Sequence, residues 1–372
     1  MTYILIALYL FFTIGHLFNY LTKVKNYSFV YITTIFIFFL MCGHVYQGEG
    51  DAIDFLAYFQ GYTEFKNLKR DDFWFYYLFY SVQRIGIYLS LNFYQWWALM
   101  TALSLIFTIG TIKRRNYNPH LFLFFFMIYY VFILYGGLKF FYGLCIFQYA
   151  VPFLLRGEKN GKLKFILITF LAGGFHVMYY MFLIFAFIDL RIKNRKSLIK
   201  KIVVFSLIFS LLNILSGRVL LNSMQSYIDS MENDKLSVYF ALRTNWGFLL
   251  PIGIHALTTF YAFKYRETVK KYDQNKWLFY ADTLLYINII IVVFYPLFMI
   301  ALTFMRLLTS FSIITIIVSG YRQEYFNKVE RLKMIMSGLL IVGLYYFINI
   351  YLAGYAEKTV LPFFDSYFFN WL

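Results

Sequence analysis

Long apolar stretches separated by short polar connections dominate the chain. A helix that crosses a bilayer needs about 20 mostly apolar residues, because each residue rises about 1.5 Å and the hydrocarbon core is about 30 Å thick. The pattern therefore predicts an all-α polytopic membrane protein with about 10 full spans in a single transmembrane domain, residues 1–372. The predicted spans are 2–21, 28–47, 95–112, 119–136, 139–155, 201–216, 246–263, 277–297, 303–320 and 334–353.

One further apolar stretch, 165–190, does not fit a single crossing, because basic residues flank both of its ends. Gly173 and Gly174 precede His176 in its middle. Irregular backbone at membrane depth is tolerated only where it is buried in protein or lines a wet cavity. We therefore expect a broken or re-entrant helical hairpin, with helices over about 165–173 and 177–189 that meet near His176 and return to the cytoplasm. The alternative is one long tilted helix.

Composition agrees with a membrane protein, since 61% of the residues are hydrophobic and only 14% are charged. A soluble enzyme is excluded by these values. The net charge of +16 would suggest a nucleic-acid partner in a soluble chain, but here most basic residues cluster in short connections. Such clusters mark the cytoplasmic side, so the charge predicts topology, with both termini non-cytoplasmic, and no nucleic-acid partner. The clusters fall at 23–25, 113–115, 156–164, 191–201, 264–276 and 322–333.

Two long connections, about 48–94 and 217–245, fall on the opposite, non-cytoplasmic side and are expected to cover a site there. The first contains an aromatic run from Phe73 to Tyr80, which is typical of a helix lying in the membrane interface. Aromatic residues make up 24% of the chain, and most of them are explained by overall composition. The candidate stacking surface for sugars consists of Phe73, Trp74, Phe75, Tyr76, Tyr77, Trp96 and Trp97.

Candidate chemistry lies in a few ionisable residues near the non-cytoplasmic ends of spans. These residues are Lys139, Arg306, His176, Asp51 and Asp54. Ionisable groups are costly in lipid, so they normally face the protein interior or water. No phosphate-binding glycine loop, metal-ligand spacing or nucleophile elbow is present in the sequence, so no metal and no cofactor is predicted. Structural alternatives remain open, namely a snorkelling lysine, a packing histidine and a helix cap at Asp51.

Four short motifs, in order along most of the chain, resemble the EpsG family, the Wzy-type polymerases of bacterial exopolysaccharide and capsule synthesis. They are Gly50-Asp51 with Tyr58, Leu138-Lys139-Phe140, Phe175-His176 and Met305-Arg306-Leu307. One departure is Lys139, since the family usually has arginine there. Lysine keeps the charge but lacks the bidentate fork that suits phosphate oxygens.

The resemblance implies a multi-span bundle of the lipid-donor glycosyltransferase class in the bacterial cytoplasmic membrane. Its activity would be to join oligosaccharide repeat units carried on undecaprenyl pyrophosphate, at the outer face and without a metal or a nucleotide sugar. The expected partners are this lipid-linked oligosaccharide, the bilayer, and the flippase and chain-length regulator of the same pathway.

Roles for the candidate residues follow from that reaction. Lys139 and Arg306 would stabilise the leaving pyrophosphate. An acceptor hydroxyl must lose a proton, and His176, Asp51 or Asp54 is the candidate general base. The sugar-binding candidates are Tyr58, Arg84, Arg218 and Arg243.

Two alternative functions remain at this point. A transporter or flippase for lipid-linked glycans needs similar intramembrane charges, but ordinarily has internal repeats, and none is visible here. A membrane acyltransferase with His176 as its base would favour further His and Asn or Asp residues near the cytoplasmic side, whereas His176 is predicted to reach the opposite face.

Overall fold

The computed structural model describes residues 2–43, 55–64, 76–135, 137–187, 195–215, 248–272, 275–300, 304–348 and 360–364. About 90% of this part is helical and it contains no β-strand, which confirms the all-α prediction. The α-helices are α1 (Thr2–Thr22), α2 (Tyr27–Cys42), α3 (Phe55–Glu64), α4 (Tyr77–Tyr88), α5 (Phe93–Arg114), α6 (Pro119–Phe125), α7 (Val131–Tyr135), α8 (Leu138–Leu155), α9 (Gly161–Phe175), α10 (Ile184–Phe187), α11 (Arg195–Leu215), α12 (Leu249–Lys270), α13 (Asn275–Ile290), α14 (Tyr295–Ile300), α15 (Met305–Ser319), α16 (Lys328–Tyr345) and α17 (Leu361–Phe364).

Five helical segments in the described part are long and apolar enough to cross a bilayer, as expected of a membrane protein. The predicted number of full spans is not confirmed, because other apolar stretches form shorter helices, such as α2 with 16 residues and α15 with 15. An apolar run alone does not distinguish a crossing helix from one packed inside the protein. The five segments are Thr2–Thr22, Phe93–Arg114, Leu138–Leu155, Asn275–Phe298 and Lys328–Ile348.

The chain divides into two compact units. The first comprises Met1–Ala186 with Ile316–Leu372, and the second comprises Phe187–Thr315. In the first unit, α8 packs against α9, α1 against α6, and α2 against α5. In the second unit, α12 packs against α13. The single transmembrane domain stays a prediction.

A π-helical turn, Phe126–Tyr130, joins α6 to α7 within the first unit. Its wider turn changes the regular pattern of backbone hydrogen bonds, which inside a membrane protein must be completed by other donors. The hydroxyls of Tyr9 and Tyr346 donate to the carbonyls of Met127 and Ile128 in this turn. Tyrosine hydroxyls therefore act as backbone partners inside the bundle.

The chain reverses direction at His176. Helix α9 ends at Phe175, and His176 takes an extended conformation with φ −149° and ψ 116° before a 3-10 helix over Val177–Leu183. The Tyr179 hydroxyl donates to the Phe140 carbonyl at 2.9 Å. Further along α8 and the 3-10 helix, the rings of Phe147 and Phe182 stack with centroids 4.7 Å apart.

These contacts mean that the segment after His176 runs beside α8 in the same direction, whereas α9 runs opposite to α8. The segment therefore returns toward the end of the unit at which α9 begins. The predicted break near His176 is correct. The predicted bounds are wrong in detail, because α9 begins four residues earlier than predicted, at Gly161, and the second segment is largely a 3-10 helix.

The glycine pair that suggested the break does not produce it, because Gly173 and Gly174 both lie within α9. A Cβ atom at Gly173 would lie 2.3 Å from the ring of Tyr180, and one at Gly174 would lie 2.8 Å from the side chains of Tyr77 and Leu78. Small residues allow such close packing between helices in membranes. The pair therefore allows the returning segment and α4 to contact α9.

We expect Gly173→Ala to destabilise the protein by about 1–3 kcal/mol, because the added methyl group forces the Tyr180 ring to move. Gly110→Ala in α5 is the matched control, since its Cβ meets nothing within 4 Å. That substitution should be neutral or stabilising by up to about 1 kcal/mol through helix propensity. Unfolding of the detergent-solubilised variants measures both changes, and equal stabilities would contradict the packing argument.

The end of the predicted interfacial run lies in α4, which buries one face and exposes Ile85 and Tyr88 on the other, and its position in the membrane interface stays a prediction. Helix α4 begins at Tyr77, and within it Phe79 and Tyr80 are fully buried. Trp96 and Trp97 in α5 are also buried, and the Trp96 indole donates to the Val82 carbonyl at 3.0 Å. Buried indoles offer no face to a sugar, so the stacking prediction is wrong for these two tryptophans. Of its other members, Tyr76 and Tyr77 are half-buried, and Phe73, Trp74 and Phe75 lie outside the described residues.

Polar residues in the second unit form hydrogen bonds and an ion pair with one another. His255 lies 2.7 Å from the Tyr295 hydroxyl through Nδ1 and 2.7 Å from the Asn288 carbonyl through Nε2. A carbonyl only accepts, so Nε2 carries the proton and Nδ1 accepts from the tyrosine. Arg266 pairs with Asp282 at 2.8 Å. These contacts give His255 a structural role in packing α12.

Candidate functional site

Lys139 lies in the first turn of α8, among four aromatic rings. Its ammonium donates to the Tyr80 hydroxyl at 2.9 Å. The Nζ atom lies 4.2 Å from the ring centroid of Tyr76, 4.7 Å from that of Tyr80, 5.1 Å from that of Phe79 and 5.9 Å from that of Tyr58. These separations are those of cation–π contacts, which strengthen when the cation is partly desolvated. Since Lys139 is half-buried, the rings stabilise its charge inside the protein.

His176 lies in the same group of aromatic side chains. The centroid of its ring is 5.8 Å from that of Tyr76 and 5.8 Å from that of Phe140, the residue next to Lys139. Tyr76 therefore contacts both the lysine ammonium and the imidazole. We call Lys139, His176, Tyr58, Tyr76 and Tyr80 the Lys139 cluster. The structure thus brings together three of the residues singled out from sequence, Lys139, His176 and Tyr58.

The hydrogen bond made by the His176 ring defines its tautomer. The side chain caps the 3-10 helix, because Nδ1 accepts from the Met178 amide at 3.4 Å. A nitrogen that accepts carries no proton, so the neutral ring carries its proton on Nε2. In this state Nε2 is a hydrogen-bond donor. The arrangement is suited to stabilising a phosphate oxygen, whereas a general base acting through Nε2 would need the other neutral tautomer, with the proton on Nδ1.

Three helix contacts assemble the Lys139 cluster. The α8–α9 hairpin places the first residues of α8 beside the last residues of α9, and α4 docks on Gly174 of α9. Helix α3 brings Tyr58 against Phe79, with ring centroids 5.9 Å apart. The Tyr62 hydroxyl anchors α3 by donating to the Leu91 carbonyl at 3.0 Å, and burial raises the pKa of Tyr62 to about 12. The cluster therefore rests on packed helices.

The opposite end of α8 carries a separate group of charges. Arg156 follows the helix and donates to the Arg115 carbonyl at 2.8 Å, while Arg115 pairs with Glu158 at 3.2 Å. Helix α8 has 18 residues. It is therefore about 27 Å long, close to the thickness of a hydrocarbon core. The Lys139 cluster and the basic connections lie at opposite ends of a helix long enough to span the membrane.

Two other residues predicted for the site, Arg84 and Arg306, lie in the described part of the chain. Arg84 lies on α4 and is exposed. Arg306 lies in the first turn of α15, in the second unit, and is half-buried. The four residues that fall outside the described part of the chain are Asp51, Asp54, Arg218 and Arg243. Their roles stay predictions.

Within the described ranges, no group of three or more His, Cys, Asp or Glu side chains is placed to hold a metal ion. Tyr80 is a member of the Lys139 cluster that the sequence did not identify as a site residue, and Tyr76 was predicted only as part of a stacking surface for sugars. The aromatic run from Phe73 to Tyr80 is visible in the sequence, but its periodicity does not identify which rings contact the Lys139 ammonium.

A family model described as the EpsG family matches residues 28–364, which is nearly the whole chain. The match includes every residue of the Lys139 cluster and both arginines assigned to α4 and α15. No curated protein and no solved structure matches the chain.

Proposed function

Because the chain belongs to the EpsG family, we propose that it is a membrane polysaccharide polymerase that joins oligosaccharide repeat units carried on undecaprenyl pyrophosphate. The observation that carries this proposal is the contact of Tyr76 with both Lys139 and His176, 4.2 Å from the ammonium and 5.8 Å from the imidazole centroid. This places a cation and a hydrogen-bond donor next to each other at one end of a membrane-length helix. Both kinds of group are suited to stabilise the negative charge on a departing pyrophosphate.

The proposed reaction is a glycosyl transfer at the anomeric carbon of the donor repeat unit. An acceptor hydroxyl forms a new carbon–oxygen bond to that carbon, and the bond to the pyrophosphate oxygen breaks. The hydroxyl proton passes to a base on the protein, and the electron pair leaves with undecaprenyl pyrophosphate. A single displacement inverts the anomeric centre and two displacements retain it.

Lys139 is proposed to stabilise the negative charge that develops on the leaving pyrophosphate. Charge-assisted hydrogen bonds from preorganised donors are worth most where water is excluded. The aromatic cage holds the ammonium in a fixed position before substrate binds, so little reorganisation is needed during the reaction. The resemblance assigns Arg306 to the same pyrophosphate, and we retain that assignment as part of the proposal.

His176 is proposed to donate a hydrogen bond from Nε2 to the pyrophosphate, in keeping with the tautomer set by the Met178 amide. The general base is then one of the carboxylates Asp51 or Asp54, which follow the second predicted span. This choice narrows the three candidates for the base to two. The Tyr58 ring is half-exposed and is proposed to contact a sugar, together with Arg84, Arg218 and Arg243.

Chain growth with purified protein tests the proposal directly. We expect the protein in lipid vesicles, given lipid-linked repeat units, to form polymer and release one undecaprenyl pyrophosphate per unit joined. The resemblance implies a metal-independent reaction, so growth should continue in the presence of a chelator. Movement of lipid-linked units across the vesicle bilayer without any chain growth would instead identify a flippase and contradict the polymerase.

A further inference from the structure

Two kinds of contact hold the Lys139 ammonium, and they have different effects. Aromatic rings attract its charge, whereas the Tyr80 hydroxyl accepts one of its N–H bonds at 2.9 Å. Attraction to a ring depends mainly on how far the cation lies from the ring face. An ammonium group has three N–H donors, and these rotate about the Cε–Nζ bond unless a hydrogen bond fixes them. The rings therefore set where the charge lies, and the Tyr80 oxygen sets the directions of the N–H bonds.

The Tyr80 ring is packed from several sides. It is fully buried, and its centroid lies 6.1 Å from that of Tyr76 and 5.7 Å from that of Phe79. Phe79 is fully buried as well, and its ring contacts those of Trp96 and Tyr142 at 5.6 Å and 6.4 Å. Close packing of this kind holds a side chain in one rotamer. The position of the Tyr80 oxygen is therefore set before any substrate binds.

Helix α4, which carries Tyr80, is held on both sides of this residue. Its first turn packs against Gly174 of α9, where a Cβ atom would lie 2.8 Å from side chains of α4. On the far side, Gly86 lies so close to α5 that a Cβ atom would be 2.5 Å from the Trp96 ring. The Trp96 indole also donates to the Val82 carbonyl at 3.0 Å. The backbone that presents the Tyr80 hydroxyl is thus fixed by two neighbouring helices.

We propose that Tyr80 is a positioning residue for the glycosyl transfer. By accepting one N–H bond of Lys139, its hydroxyl directs the ammonium so that the other N–H bonds meet the oxygens of the leaving pyrophosphate. Hydrogen bonds weaken steeply when donor and acceptor are misaligned, so this direction affects the rate. Tyr80 is fully buried and acts through Lys139 without touching the substrate. The inference rests on the proposed function, in which Lys139 stabilises the leaving group.

Tyr80→Phe tests this role, because it removes the acceptor oxygen and keeps the ring. We expect the kcat of chain growth by the purified protein to fall about tenfold, since a misdirected donor loses part of its stabilisation of the developing charge. The inhibition constant for added undecaprenyl pyrophosphate should rise by at least about threefold for the same reason. This constant does not depend on the fraction of folded protein. An unchanged kcat or an unchanged inhibition constant would overturn the proposal.

Tyr265→Phe is the matched control. Tyr265 lies on α12 in the second unit and is fully buried, and its hydroxyl accepts from the Trp277 indole at 2.9 Å. The control therefore loses the same atom from a hydrogen bond of the same length, away from Lys139. It should keep the normal kcat and inhibition constant, and thermal unfolding shows whether both variants are folded. Equal losses of kcat in the two variants would assign the effect of Tyr80 to stability alone and overturn the proposal.

Arginine at the lysine position gives a second test. The N–H bonds of a guanidinium are fixed in one plane by its own geometry, so they depend less on an outside acceptor for their direction. Tyr80→Phe should therefore cost about tenfold in kcat when Lys139 is present but less than about threefold when combined with Lys139→Arg. A residue that only packs α4 would cost the same factor in both proteins, which would overturn the proposal. If Lys139→Arg is itself inactive, the comparison with Tyr265→Phe decides.

Lys139→Met separates a failure of this inference from a failure of the proposed function. If Lys139→Met forms polymer at the normal rate, Lys139 does not stabilise the leaving group, and the role of Tyr80 fails with it. If Lys139→Met is inactive and Tyr80→Phe keeps full kcat, only the positioning role is overturned and the polymerase proposal stands. The expected result is a large loss for Lys139→Met, a smaller loss for Tyr80→Phe and none for Tyr265→Phe.

Discussion

Replacing His176 with alanine should abolish polymer formation while lipid-linked repeat units accumulate. The imidazole contacts Tyr76, which contacts the Lys139 ammonium, so its loss removes the donor proposed for the leaving group. Removal of one preorganised donor to a developing negative charge typically slows the chemical step by about 100-fold or more. The measurement is polymer length and yield in cells, together with the amount of unpolymerised lipid-linked unit.

The His176 side chain also caps the 3-10 helix, so a second variant must separate folding from chemistry. Asparagine is a good helix cap, and its side-chain oxygen is able to accept from the Met178 amide as the histidine does. His176→Asn should therefore unfold at nearly the same temperature as the unchanged protein but remain inactive. His176→Ala should in addition lose about 1 kcal/mol of stability with the cap. Normal polymer from the asparagine variant would remove His176 from the site.

The second large effect is expected at Lys139. Lys139→Met keeps an unbranched apolar side chain among the four rings but removes the charge, and we expect polymer synthesis to fall by about 100-fold or more. Lys139→Arg keeps the charge and the cation–π contacts with Tyr76 and Tyr80, and adds a bidentate fork for phosphate. It should retain activity within about tenfold. Chain growth with the purified variants measures both.

Lys164→Met is the control for the loss of one positive charge. Lys164 is exposed on α9 and lies 5.2 Å from the Phe153 ring, at the opposite end of the α8–α9 hairpin from Lys139. This variant should form normal polymer. Arg306→Ala tests the second proposed cation, and it should also accumulate lipid-linked units. Full activity of Lys139→Met would show that the caged ammonium serves only to pack α8 against α4.

The fold class could be predicted from sequence because hydropathy is a local property. Apolar stretches set where helices form, and the described bounds of α1, α5 and α8 differ from the predicted spans by only a few residues. The role of Gly173 and Gly174 could not be predicted, since it depends on which side chains approach α9 in space. A Gly-Gly pair in an apolar stretch is compatible both with a helix break and with close packing between helices.

The charged members of the site were accessible to sequence reasoning because ionisable groups at span ends are few. The Lys139–Tyr76 contact was not, since it requires α4 to dock on α9.

The reversal at His176 has a consequence for every residue that follows it. A segment that enters the membrane and returns to the side it came from does not change the side on which the next connection lies. Treating 165–190 as one crossing would exchange the two aqueous compartments for all later connections, including those around α11 to α16. The predicted sides of all later connections therefore depend on the break at His176, where the backbone is extended with ψ 116°.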